Sequence, residues 1–247
     1  MRQMVALRAG ARKGGRMEQA LRVAALVVAG GRGQRFGGAV PKQYRLLGDR
    51  AILARTAAAL QAHPMIDRVQ IVIHRDDRDL YQAAVAGLDL PAPVLGGATR
   101  QESVRAGLEA LAAWQPALVL IHDSVRPLVS ASVISGVIAA LEHGKAAMAG
   151  VPVADTLKRV ADGVVTGTVE RQGLWRAQTP QGFRFAEILA AHRALAADGR
   201  EMTDDCMIAE AAGMAVMIVP GAEENFKITT EADLRLAELL VRERQSL

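Results

Sequence analysis

The sequence predicts an α/β fold, a Rossmann-like and mostly parallel sheet with helices on both faces and a protruding β-hairpin arm. Three observations carry this. A short apolar run, R-V-A-A-L-V-V-A at Arg22 to Ala29, ends in glycines, as a strand buried on both faces does. Later apolar runs alternate with stretches of helical composition, the rhythm of parallel strands joined by crossover helices. The rhythm breaks once, around Asp162-Gly163, where two β-prone runs have no helix between them.

Taken in order, the first strand is followed by a glycine-rich loop and then by Ala51 to His63, helical in composition and stopped by Pro64. Val69 to Ile73 is β-branched and reads as the second strand. Gln101 to Ala113 reads as helix and Ala117 to His122 as buried strand. Ala131 to His143 reads as helix behind the N-cap residue Ser130, and Ala146 to Val151 as strand. Thr156 to Val169 forms the hairpin; its polar residues exclude a central strand pair, so it should project and find a partner. Helices follow near Arg184 to Ala197 and from Asp204, then a strand at Ala215 to Val219. A last helix from Glu231 has a capping box in Thr230-Glu-Ala-Asp233. Trp114 and Trp175 read as packing residues. No linker divides the chain, so residues 21–247 are expected to be one domain with a dimerisation arm at about 152–172.

The 247 residues, 51% hydrophobic and 23% charged, suffice for a full core. No apolar run approaches the ~18 residues needed to span a bilayer, and the one cysteine, Cys206, has no intrachain disulfide partner. Both point to the cytoplasm. The pI of 9.6 is misleading as a sign of nucleic-acid binding. Arg2, Arg8, Arg12, Lys13 and Arg16 sit in the first sixteen residues without an acid, and removing them takes the net charge from +4 to −1. Residues 1–20 are therefore expected to be a disordered or mis-started tail, with Met17 as the functional beginning.

The chemistry concentrates in A-G-G-R-G-Q-R-F-G-G-A-V-P-K-Q-Y, Ala29 to Tyr44. Glycines directly after a strand let backbone N–H groups converge on an anion. The dinucleotide fingerprint fails because Phe36 stands where its third glycine belongs, and a Walker A loop fails because Pro41, not glycine, precedes Lys42. The loop instead supplies two cations, Arg35 and Lys42, which suits a triphosphate attacked at its α-phosphorus. An attacking phosphate is mostly dianionic at pH 7, its second pKa being about 6, so it needs further cations and no general base. His63, His74, His122, His143 and His192 are scattered without metal-site spacing, and no protein metal ligand is expected.

With the downstream segments G-G-A-T-R-Q-E-S-V (Gly96 to Val104), H-D-S-V-R-P (His122 to Pro127), P-V-A-D-T-L-K (Pro152 to Lys158), T-V-E-R-Q-G-L-W-R-A-Q-T-P-Q (Thr168 to Gln181), T-D-D (Thr203 to Asp205) and N-F-K-I-T (Asn225 to Thr229), the chain resembles the methylerythritol-phosphate cytidylyltransferases from about Val23 to Ala237. The resemblance implies a CTP-dependent nucleotidyltransferase of isoprenoid precursor synthesis, working as a homodimer with magnesium held chiefly by the triphosphate. It implies that Arg35 and Lys42 stabilise the pentacoordinate α-phosphate, and that Ala29, Gly30, Gly31 and Gly33 surround ribose and phosphates. Gly97 and Ser103 read the cytosine. Where the family often has an acidic residue, this chain has Ala98, so base selection would lean on backbone groups and Ser103. Asp123 and Arg126 lie beside the ribose and the acceptor. Thr156, Arg171, Thr179 and Thr203 form the acceptor shell, Arg171 reaching in from the neighbouring subunit, and Lys227 touches both phosphates.

Other readings stay open at this level. A sister cytidylyltransferase acting on ribitol 5-phosphate would share fold and reaction, although L-W-R-A-Q-T-P-Q favours the methylerythritol branch. A nicotinamide-dependent oxidoreductase and a non-catalytic nucleotide-binding module are the alternatives of another class. Asp123 could merely close a turn, Thr203 could merely cap a helix, and Arg171 could be an interface ion-pair residue.

Overall fold

In the computed structural model, residues 21–31, 40–197, 200 and 202–245 are described. Arg35 and Gly33, and the expectations for residues 1–20, lie outside them.

The first strand, β1 (Val23–Ala29), is buried along almost its whole length because both of its faces are covered. Val23, Ala25, Val27 and Ala29 belong to one core cluster and Ala24 and Leu26 to another, the period-two alternation of a central strand. A short hairpin, β2 (Leu46–Leu47) and β3 (Arg50–Ala51), precedes α1 (Ile52–Gln61). Then come β4 (Arg68–Ile73), α2 (Arg78–Ala84), β5 (Val94–Leu95), α3 (Arg100–Ala112), β6 (Leu118–Asp123), α4 (Ala131–Ala140) and β7 (Ala146–Pro152). The arm is β8 (Leu157–Ala161) and β9 (Val164–Val169). The chain ends with β10 (Trp175–Arg184), α5 (Phe185–Ala194), α6 (Asp205–Ala211), β11 (Val216–Pro220) and α7 (Glu231–Gln245).

Seven strands form the main sheet in the order β11-β7-β10-β6-β1-β4-β5. β1 pairs in parallel with β4 and β6, β4 with β5, and β7 with β11, while β10 runs antiparallel between β6 and β7. One face carries α1 and α4 through Leu53, Leu60, Val133 and Val137; the other carries α3, α5 and α6 through Leu108, Ile188 and Ile208. α3 lies close on its face at Gly107, where a Cβ would come within 2.5 Å of Leu26. A third cluster, including Leu47, Ile52, Val125, Ile228 and Leu234, seats α7.

The mostly parallel sheet, the covering helices and the hairpin agree with the sequence reading, and boundaries differ by a few residues. β10 is the element that reading lacked. Its segment was legible only as a motif, because Gln178, Thr179 and Gln181 interrupt any apolar pattern and yet are buried. α2 and the two-residue strands also escaped. The arm stands out from the body: β8 is exposed throughout and Val164 is 65% exposed. Trp175, read as a packing residue, is 40% exposed at the arm's base. Among the described residues no helix is long and apolar enough to cross a membrane.

Candidate active site

Chain order places a crevice at the carboxyl end of β1. From β1 the chain moves outward to β4 and β5, then returns to lay β6 on β1's other side, and ligands in such sheets bind where the order reverses. The cleft found there, of about 780 Å³, is lined by Gly30, Gly31, Lys42, Gly97, Ser103, Asp123 and Lys227 among others.

Three segments build its walls. After β1, the carbonyls of Ala29 and Gly31 both accept from the side chain of Gln43 (2.8 and 3.1 Å), which is buried in a single 3-10 turn behind Pro41. Gln43 thereby ties the turn bearing Lys42 to the glycine segment. The second wall is the start of α3, where Thr99 and Glu102 form a capping box, a signal present in the sequence as T-x-x-E. Glu102 also accepts from the backbone of Ala98 (2.7 Å), fixing the loop beside Gly97. Ser103 is buried and its hydroxyl donates to Thr99 O (2.9 Å).

The third wall is the end of β6. Asp123 is only 8% exposed, and its Oδ2 meets Lys227 Nζ at 3.0 Å and Arg126 Nε at 3.4 Å. Burial would push this carboxyl up, but Lys227, Arg100 and Arg126 more than offset it and hold Asp123 well below the usual carboxylate range. Arg126 continues through Nη1 to the carbonyl of Asn225 (2.8 Å).

Next to it His122 is fully buried, with Nε2 3.1 Å from Arg126 O and Nδ1 3.0 Å from Thr179 Oγ1. A carbonyl only accepts, so Nε2 carries the proton and Nδ1 accepts from Thr179, whose oxygen in turn accepts from Asp123 N (3.1 Å). Burial lowers the His122 pKa to about 4, so the ring is neutral.

Arg100, on the cleft wall, donates to Asp205 (2.7 Å), a fully buried carboxylate that also stands 3.3 Å from His192 Nε2. Burial alone would lower the Arg100 pKa, but Asp205 and then Asp123 raise it overall, so the guanidinium stays charged. Asp205 N and the Asp204 carboxylate are both held by Gln181. The start of α6 is thus fastened to β10 and to α3.

Of the residues named from sequence, the cleft brings together Gly30, Gly31, Lys42, Gly97, Ser103, Asp123 and Lys227, with Arg126 and Thr179 behind Asp123 and Ala29 at the edge of β1. Thr156, Arg171 and Thr203 are exposed and do not line it. Arg171 reaches the carbonyl of Ala154 at the arm's base. Asp204, not Thr203, caps α6, its carboxylate accepting from Met207 N (2.9 Å), while the Thr203 hydroxyl lies 3.0 Å from the Met207 sulfur. Sequence reasoning gave no role to Gln43, Arg100 or Asn225, although all three stood inside quoted motifs. Among the described residues no cluster of three His, Cys, Asp or Glu is placed to hold a metal ion, and Asp123 is the one carboxylate in the cleft lining.

The sequence model of the 2-C-methyl-D-erythritol 4-phosphate cytidylyltransferase family matches residues 23–243. A bifunctional IspD/IspF enzyme of Rhodospirillum rubrum is 58% identical over 222 residues, covering 90% of this chain and 57% of that protein. The bifunctional enzyme of Paramagnetospirillum magneticum is 57% identical over 215 residues, 87% of this chain and 56% of its own. The chain thus spans a little over half the length of these relatives. The structure of 4-diphosphocytidyl-2C-methyl-D-erythritol synthase from Anaerococcus prevotii superposes with a TM-score of 0.79 at 29% identity, covering 96% of this chain and 99% of that one. That of 2-C-methyl-D-erythritol 4-phosphate cytidylyltransferase from Thermus thermophilus gives 0.71 at 33% identity, covering 90% and 99%.

The state of His122 has a consequence for stability. Its folded pKa lies below the ordinary 6.5, so the unfolded chain binds the extra proton first as pH falls. The stabilisation is complete above about pH 6.5 and lost toward pH 4, a change of up to about 3 kcal/mol. Urea denaturation of wild type and His122→Gln at pH 7.5, 6, 5 and 4.5 should show the stability gap between them narrowing steadily. A gap constant with pH would mean that the fold leaves the His122 pKa unshifted, and a gap that widens as pH falls would mean that the fold favours the protonated ring.

Proposed function

The chain belongs to the 2-C-methyl-D-erythritol 4-phosphate cytidylyltransferase family, and from that premise we propose that it joins CTP and 2-C-methyl-D-erythritol 4-phosphate, giving 4-diphosphocytidyl-2-C-methyl-D-erythritol and pyrophosphate. The observation that carries the reading is the set of cations around the ionised Asp123, opposite a glycine segment at the sheet's reversal point. Arg126 and Lys227 meet Asp123 and Arg100 meets Asp205, and among the described residues lining the cleft the basic side chains of Lys42, Arg100 and Lys227 outnumber the one carboxylate, which suits it to anions.

In this reading an oxygen of the acceptor's phosphate attacks the α-phosphorus of CTP, the bond to the bridging oxygen breaks, and pyrophosphate leaves with the electron pair. The nucleophile is already ionised, so no residue need take a proton from it. Lys42, with Arg35, stabilises charge building on the α-phosphoryl oxygens. Lys227 and Arg126 hold the acceptor phosphate in line, and Gly97 and Ser103 bound the base. A magnesium ion fits as a companion of the triphosphate, which would supply most of its oxygens, with Asp123 the one described carboxylate available; it would offset phosphate charge. The cytoplasm is the compartment where this chemistry would run.

The arm supports a homodimer. Val160, Val164, Val165 and Leu174 are exposed on or just after two strands that are marginal alone and gain by packing on a symmetric copy. Arg171, exposed at the arm's base, would then complete the partner's acceptor site, where a planar guanidinium suits phosphate.

Pyrophosphate release measured with each of four nucleoside triphosphates against methylerythritol phosphate, ribitol 5-phosphate and erythritol 4-phosphate should be confined to CTP with the first. Lys42→Ala should cut turnover ~10²-fold with its circular dichroism intact. Release with ribitol 5-phosphate alone, or normal turnover of the variant, would refute the acceptor or the role of Lys42.

Mixing inactive Lys42→Ala and Arg171→Ala under subunit exchange should partly restore activity, because in each mixed dimer one site gathers both lesions and the other has none. Confirmed mixed dimers without activity would place Arg171 outside the partner's site.

A further inference from the structure

Lys227 sits between the end of β11 and α7, in a stretch that has no helical or strand hydrogen bonding of its own beyond one 3-10 turn, Glu223–Asn225. A flexible side chain on an irregular segment does not hold an ammonium 3.0 Å from a buried carboxylate unless the backbone is fixed on both sides. Downstream, Ile228 is fully buried and donates to Val125 O (2.9 Å), and Thr229 is held through its N–H and hydroxyl by Asp233 (2.8 and 2.7 Å). Upstream the fixing group is a side chain. Asn225, fully buried, donates through Nδ2 to Thr179 O (2.8 Å) and Gln178 Oε1 (3.2 Å). Gln178 in turn donates to Ala222 O (2.8 Å) and accepts from Ala222 N (3.3 Å), pairing with that residue as a strand neighbour would.

These groups are available because β10 leaves its ladder. Its register with β7 shifts between Ala177 and Gln181, and its pairing with β6 begins only at Gln181, so Gln178 and Thr179 lie outside both ladders. Irregularities of this kind re-aim groups beside active sites. The approach is close: at Gly221 a Cβ would stand 2.3 Å from Gln178 Oε1. The same Asn225 also serves the second cation, since its carbonyl accepts from Arg126.

We infer that Asn225, braced by Gln178, is a positioning residue for the acceptor phosphate: it fixes the segment bearing Lys227 and the carbonyl that aims Arg126, joining both cations on Asp123 to the irregular stretch of β10. The inference rests on the reading of Lys227 as a phosphate-binding group. It places the effect on the acceptor, because neither Asn225 nor Gln178 touches the Lys42 turn or the Gly97 loop.

The test is a double-mutant cycle on steady-state kinetics with CTP and 2-C-methyl-D-erythritol 4-phosphate, each protein assayed well below its own melting temperature. Asn225→Ala should lower kcat/KM for the acceptor ~10-fold or more while the KM for CTP stays at the wild-type value. Lys227→Ala should lose at least as much. The double variant should lose clearly less than the product of the two single losses, since the part of the Asn225 effect that runs through Lys227 vanishes with the amine and only its hold on Arg126 remains. Losses that multiply in the double variant would overturn the inference, and so would Asn225→Ala that melts earlier with unaltered kinetics. Normal kinetics in Lys227→Ala would instead bring down the reading of that lysine and the inference with it. Should Asn225→Ala fail to fold, Asn225→Leu keeps about the volume and removes the donating amide without adding a charge, and the same cycle applies.

Discussion

A carboxylate buried at the end of a central strand is tolerable only while cations meet it, and Asp123 has Lys227 and Arg126 within 3.4 Å. Removing a cation from such a set leaves the buried carboxylate short of a partner, and the loss falls hardest at Arg126, whose side chain is 11% exposed against 40% for Lys227. Of the three groups two are near neighbours and one is distant: Asp123 ends β6, Arg126 follows three residues later, and Lys227 belongs to the approach to α7. Their meeting fixes the turn after β6, seats the last helix through Val125 and Ile228, and leaves the cleft rich in cations. His122 supports the arrangement as a neutral ring with one tautomer, because protonating Nδ1 would turn it into a donor and take away the acceptor of the Thr179 hydroxyl, whose oxygen holds Asp123 N.

A second ion pair joins the other side of the cleft. Arg100 opens α3, where Ser103 and the Gly97 loop also lie, and its guanidinium is held by Asp205 at the first residue of α6. Through Gln181 that helix start is bound to β10, the strand that anchors Asn225 two residues earlier through Thr179. The antiparallel strand inserted between β6 and β7 is therefore the common support for both ends of the cleft. A parallel strand in its place would run its carboxyl end the other way and present different residues at the edge.

How much of this the sequence discloses follows from what each signal depends on. β1, β6 and β7 are legible because a strand covered on both faces must be apolar throughout, and the hairpin is legible because Asp162-Gly163 demands positive φ, which both residues adopt. β10 is not, since its buried positions are filled by Gln178, Thr179 and Gln181, whose burial depends on partners 23 to 57 residues away. Arg100 is hidden for the same reason: at a helix start it resembles a solvated charge, and its partner Asp205 lies 105 residues further on. The motifs name Lys42, Ser103, Asp123 and Lys227, which line one cleft, but their spacing could not say that Lys227 would reach Asp123 or that Asn225 would hold it. Arg171 and Thr156 are exposed and do not line the cleft, and under the proposed homodimer Arg171 would act in the partner's site.

Asp123 anchors Lys227 and Arg126, the cations proposed to hold the acceptor phosphate. The most direct test of that role is the kinetics of Asp123→Asn, a variant that keeps the side chain's shape and removes its charge. With CTP saturating and methylerythritol phosphate varied, kcat should fall ~10²-fold in a protein whose circular dichroism matches wild type, because Lys227 and Arg126 lose the group that aims them. Turnover equal to wild type would contradict the account, since it would show that the two cations find their places without the carboxylate.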